Sequence, residues 1–227
     1  MKKNIHIDSG NNFYYLFISV VVLLFVSSLL QNIHSEILHH TLNGIIVLIF
    51  FVDIKSQHHK ASWKKTIYVF IFLIALLLIN KNHINPTIAE YIQHSIFLIY
   101  FIKSFVLTMK QIFSSKVVTE NLLYGSVYAF LLLGLIWTFI YLLILTYNPE
   151  AFNGMHYVHW AYNFPEVSYF SFITLTTVGY GDISPKENIA QFFVYAQAIT
   201  GMFYMAITVS TIVSLRMVEY QKEHHKS

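Results

Sequence analysis

One stretch differs in chemical character from its surroundings: TLTTVGYGDISP, Thr174 to Pro185, set between long runs of Phe, Ile and Leu. Between Thr177 and Gly181 there is no acidic side chain. Any cation stripped of water here must be met by backbone carbonyls and the Thr177 hydroxyl. Gly179 and Gly181 permit left-handed backbone angles, which let successive carbonyls turn toward one axis while Val178 and Tyr180 point away from it. A plain turn between two apolar segments would use similar residues. A nucleotide-binding loop is excluded, because no G-x-x-x-x-G-K run is present and no alternation of strand and helix surrounds the stretch.

The elements that must hold this stretch are apolar. Hydrophobic residues make up 56% of the 227 and charged residues only 11%, well below the roughly one-quarter of a soluble domain. The pattern predicts an all-α membrane protein with six transmembrane helices. These are Phe13 to Leu30, Leu38 to Val52, Trp63 to Ile79, Ile88 to Met109, Leu122 to Tyr147 and Ile189 to Met217. A cleaved signal peptide is rejected for the first run, which lacks a small-x-small site and is followed by further spans. With both termini cytoplasmic, twelve of the fourteen Lys and Arg residues fall on the inner side and only Lys81 and Lys186 on the outer. The opening stretch then faces outward. Without cysteine there are no disulfides, thiolate metal sites or cysteine nucleophiles. A formal charge of +3 gives no reason to expect nucleic acid.

Residues 165 to 176 are too few to span, so they are expected to form a re-entrant helix. Asn163 is its expected cap, Pro165 lies in its first turn and Glu166 near its positive end. Its C-terminal carbonyls, near Thr174 to Thr176, favour a cation. Irregular backbone at membrane depth persists only where it lines a water-filled cavity or is buried in protein. Tyr169, Phe170 and Tyr180 are expected to form an aromatic collar against that helix.

Thr174 to Asp182, TLTTVGYGD, resembles the selectivity filter of the tetrameric potassium channel superfamily, and the six-span order resembles its voltage-gated-like members. The resemblance implies a homotetramer in the cell membrane, in contact with lipid, that conducts potassium passively. Thr177, Val178, Gly179, Tyr180 and Gly181 would be its ion ligands, through backbone carbonyls and the Thr177 hydroxyl. Tyr169, Phe170, Thr174, Thr176 and Asp182 would support them. K+ would be the permeant ion; no cofactor, catalytic residue or enzyme activity is expected. The implied organisation is a peripheral four-helix domain over 1–109, an interfacial linker helix over 110–121, a pore domain over 122–217 and a short tail over 218–227 without a sensor domain.

Four departures from the family pattern bear on function. Tyr169 and Phe170 stand where many relatives carry a pair of tryptophans, and Phe170 has no hydrogen to donate. Ile173 occupies the place of a buried glutamate in some bacterial relatives. Gly201 matches the usual gating glycine, as a bending point or as a site of close helix packing, but TVS, Thr208 to Ser210, replaces the Pro-Val-Pro kink. The fourth span has only Lys103 where a voltage sensor carries a basic residue at every third position, and the second and third spans have no acidic groups in their middles. Intrinsic voltage sensing is therefore expected to be weak or absent.

Along the last span, Thr200, Met205, Thr208 and Ser210 are expected to face the cavity, with Ile207, Thr211 and Ser214 at an inner constriction. Gating is expected to involve Gly201, Ile207, Thr208, Ser210 and Thr211. Among twelve histidines, the adjacent pairs at 39–40, 58–59 and 224–225 do not share a helix face and make poor metal sites. His156 and His159, in the outer turret, are the residues expected to carry effects of external pH. A weakly selective cation channel or a non-conducting subunit of the same fold is the alternative. An energised transporter would need a second broken segment in an inverted repeat.

Overall fold

Apolar runs of bilayer length become helices because lipid offers no partner for an exposed peptide group, and a helix satisfies its own. The computed structural model describes residues 13–30, 36–56, 61–79, 84–115 and 117–224. They form α1 (Phe13–Leu30), α2 (Glu36–Ser56), α3 (Ala61–Ile79), α4 (Pro86–Ser114), α5 (Glu120–Tyr147), β1 (Phe152–Asn153), α6 (Trp160–Leu175), β2 (Ser184–Pro185) and α7 (Asn188–His224). Among the described residues, α1, α4, α5 and α7 are long and apolar enough to cross a membrane, and α2 and α3 hold shorter apolar segments, Thr41–Asp53 and Lys65–Leu77. The chain is thus a multi-pass, mostly helical membrane protein.

Local chemistry sets several helix ends. The Asn85 side chain accepts from Thr87 N at 2.9 Å, with Pro86 opening α4 where its missing N–H costs nothing. Thr119 accepts from Leu122 N at 3.2 Å and starts α5. The independent linker helix expected over 110–121 is not formed: residues 110–114 complete α4, and Ser115 turns back to cap it through Ile112 O at 3.2 Å. Lys116 lies outside the described residues.

α5 is the central helix. α4, α1 and α6 all pack against it within the same chain. Phe139 of α5 stacks on Phe101 of α4 at 5.5 Å and meets Phe97 at 5.3 Å and Phe164 at 5.8 Å. Between membrane helices such close packing and hydrogen bonding, rather than expulsion of water, provide the attraction. Two buried polar ties join α2 to α4: Gln93 Nε2 donates to Asn43 Oδ1 at 2.7 Å, and Tyr100 OH donates to Asp53 Oδ2 at 2.9 Å. Asp53 corrects the expectation of a second span ending at Val52, since α2 continues to Ser56 and the carboxylate is fully buried.

Candidate ion-binding loop

The loop hangs from the C-terminal end of α6. That helix begins at Trp160, earlier than expected, with His159 as its cap: the imidazole Nδ1 accepts from Ala161 N at 3.3 Å. Asn163, expected as the cap, lies inside the helix, and so does Pro165. Asn163 nonetheless serves the same end, its Oδ1 accepting from Val158 N at 2.9 Å and its Nδ2 donating to His156 O at 2.8 Å. Glu166, placed beyond the first turn, accepts from Asn163 Nδ2 at 3.3 Å. With sixteen residues, α6 is about 24 Å long, short of a hydrocarbon core of about 30 Å.

A second cluster ties the start of α6 to the N-terminal part of α4. His159 Nε2 lies 3.2 Å from Glu90 Oε1, and Tyr157 OH donates to Glu90 Oε2 and lies 3.1 Å from Thr146 Oγ1 of α5. Burial pushes the Tyr157 phenol well above its ordinary range, and its bond to Glu90 adds to the effect, so it stays a donor. An imidazole that accepts through Nδ1 must carry its proton on Nε2, the nitrogen that faces Glu90.

At the other end the helix stops at Thr176, whose hydroxyl turns back to Phe172 O at 2.8 Å and Ile173 O at 3.3 Å. Thr177 N reaches Thr174 O at 3.0 Å, and Ile173 O takes both Val178 N at 2.9 Å and Gly179 N at 3.2 Å. These amides are consumed by the helix end. Among the described residues no hydrogen bond ends on a carbonyl oxygen of Thr177 to Gly181. Thr177 (φ 61°), Gly179 (φ 50°) and Gly181 (φ 85°) are left-handed, while Val178 and Tyr180 between them are not. Glycine takes this geometry at little cost; the β-branched Thr177 is strained by roughly 1–2 kcal/mol. Strain of that kind persists where surrounding structure enforces it, and it clusters at functional sites.

The exit of the loop is held by the segment that joins α5 to α6. Lys186 N and Glu187 N donate to Ala151 O at 2.8 Å and 3.2 Å, and β1 pairs antiparallel with β2, Phe152 opposite Pro185 and Asn153 opposite Ser184. Gly154 is left-handed (φ 78°), and a Cβ there would overlap Asp182 O. Asp182 also accepts from Tyr169 OH at 2.8 Å, across the top of α6.

The expected aromatic collar is not formed within one chain. Phe170 is 3% exposed and packs inward on Tyr141 and Phe152, at 5.3 Å each, whereas Val178 is 53% and Tyr180 72% exposed. A helix places neighbours about 100° apart, so Tyr169 and Phe170 cannot both face the loop. Thr174 is half-buried and supplies its carbonyl to Thr177 N, as above.

α7 runs unbroken past Gly201, where a Cβ would overlap Leu175 O, and its buried stripe holds Gln197, Gly201, Tyr204 and Thr208. Thr208, expected to face a cavity, is 4% exposed against its own chain, because it lies one turn beyond Tyr204, which is anchored to Ser126 O at 2.6 Å. Ile207 and Ser210 are exposed, and Thr211 is half-buried with its hydroxyl on Ile207 O at 2.8 Å. Met205 is exposed and Thr200 half-buried. Of the histidine pairs, residues 58–59 and 225 lie outside the described residues.

Sequence reasoning did not single out Gln197, Ser171 and Tyr141, which meet behind the loop. An amide in the middle of an apolar span is itself a signal, since burying it without partners is costly.

Residues 122–217, from α5 through most of α7, match the family model described as Ion channel. No curated protein matches the chain, and no solved structure does. The match is to transport proteins without a catalytic step, and among the described residues no group of three or more His, Cys, Asp or Glu is assembled. The part of the chain that carries the loop is thus similar to the ion-channel family, within a membrane protein of several spanning helices.

Proposed function

We propose that the chain is one of four identical subunits of a potassium-selective channel in the cell membrane, with both termini cytoplasmic and Thr177 to Gly181 as its filter. The observation that carries this reading is the alternation of left-handed residues at 177, 179 and 181 together with carbonyls that no described group uses. Four such strands around an axis would supply rings of oxygens that replace the water of a potassium ion. The exposure of Val178 and Tyr180 fits side chains that need a neighbouring copy to cover them. Conduction is passive and not driven by a voltage sensor, for α4 carries Lys103 as its one basic residue before Lys110, and its Nζ lies 5.7 Å from the centre of the Phe70 ring.

The test is the reversal potential of purified protein in planar bilayers of defined composition. A reversal that tracks the potassium gradient is expected. A reversal that follows sodium equally, or an absence of current, would overturn the proposal.

A further inference from the structure

Three helices meet at one side chain behind the loop. Gln197 of α7 is fully buried, in a segment apolar enough to cross the membrane. Its Nε2 donates to Ser171 O at 2.8 Å and approaches Ser171 Oγ at 2.9 Å, and its Oε1 accepts from Tyr141 OH of α5. Ser171 Oγ in turn donates to Gly134 O of α5 at 2.8 Å. Both amide hydrogens and the amide oxygen are thereby used. Satisfied buried networks of this kind hold one arrangement, since breaking any member leaves a polar group stranded at low dielectric.

The network sits where it bears on the loop. Ser171 precedes by two residues Ile173, whose carbonyl holds Val178 N and Gly179 N. One turn along α7 from Gln197, Gly201 lets that helix touch the carbonyl and side chain of Leu175, the last residue of α6. α7 therefore grips the final turn of α6 at two points, a polar one at Ser171 and a steric one at Leu175. A change in the tilt of α7 must move that turn, and with it the carbonyl from which the loop hangs.

We propose that Gln197 is a positioning residue for ion selection: it fixes the depth and rotation of α6 against α5 and α7, and so links the inner helix to the filter. This rests on the conduction reading above. Gln197 touches no ion; it acts through Ser171 and Ile173.

The test compares wild type with Gln197→Met and with the double variant Tyr141→Phe/Gln197→Met. The methionine keeps the volume and removes the hydrogen bonds. The double variant also removes the hydroxyl that the single variant strands, and replacing both partners by apolar groups is close to neutral for stability. Thermal unfolding of the assembled protein and the sodium-to-potassium permeability ratio are measured on all three. The expected result is a melting temperature lowered in the single variant and restored in the double, with the permeability ratio raised on the order of tenfold in both, equivalent to about 1.4 kcal/mol. Wild-type selectivity in the double variant would show that Gln197 serves stability alone and overturn the proposal while leaving the conduction reading intact. A wild type without potassium preference would overturn both.

Discussion

At the scale of single residues, the loop is governed by backbone angles more than by side-chain contacts. A Cβ at Gly179 meets nothing within 4 Å in its own chain, so Gly179→Ala has no clash to relieve, and its cost, about 1–2 kcal/mol, lies in a left-handed φ that alanine resists. The variant is expected to assemble normally, as judged by size in detergent, and to lose the proposed potassium preference in bi-ionic recordings; a retained preference would remove Gly179 from the proposed filter. The glycines were legible in the sequence because their chemistry is local. Thr177 was legible only as a hydroxyl: its left-handed angle follows from the two amides after it being drawn to Ile173 O, which residue type alone does not reveal.

At the scale of elements, α6 is held by its ends. The His159 cap contributes about 1 kcal/mol by the usual worth of an N-cap, and Asn replaces it as an acceptor where Ala does not. His159→Ala is expected to lower the melting temperature of the protein in detergent, and His159→Asn to leave it near wild type. The cap needs a bare Nδ1, since a ring protonated on both nitrogens has no acceptor left. Acidifying the solution on the side of the proposed pore mouth is therefore expected to alter wild-type current and to leave that of His159→Asn unchanged; equal responses would exclude the cap as the cause. The helix was legible from its length and its following glycines. Its start was not, because histidine is an uncommon cap and Asn163, a conventional one, lies inside the helix and accepts from Val158 N and His159 N just before it.

At the scale of the whole molecule, α1 to α4 form a buttress on α5 of their own chain, tied by the aromatic stack of Phe101 on Phe139 and by Ser104 facing Tyr128 at 3.1 Å. Each charge that crosses the membrane contributes about 2.3 kcal/mol per 100 mV. Were Lys103 to cross in each of four subunits, the sum would be roughly 9 kcal/mol per 100 mV. Its place over the Phe70 ring instead suits a static cation, so Lys103→Gln is expected to leave the conductance–voltage relation unshifted. A shallower slope in that variant would make the lysine a gating charge.

The amino-acid order by itself determined that the chain crosses a membrane repeatedly, where α1 and α5 lie, and that Gly179 and Gly181 are free to take left-handed angles. Hydrophobic length and glycine geometry belong to contiguous residues, so they can be read along the chain. Only the tertiary structure decided that Phe170 and Thr208 turn inward, that Asp53 is buried against Tyr100, and that Gln197 joins three helices. The reason is that a polar group in a membrane helix is stable only beside its partner, and those partners stand 26 and 56 residues away in the chain.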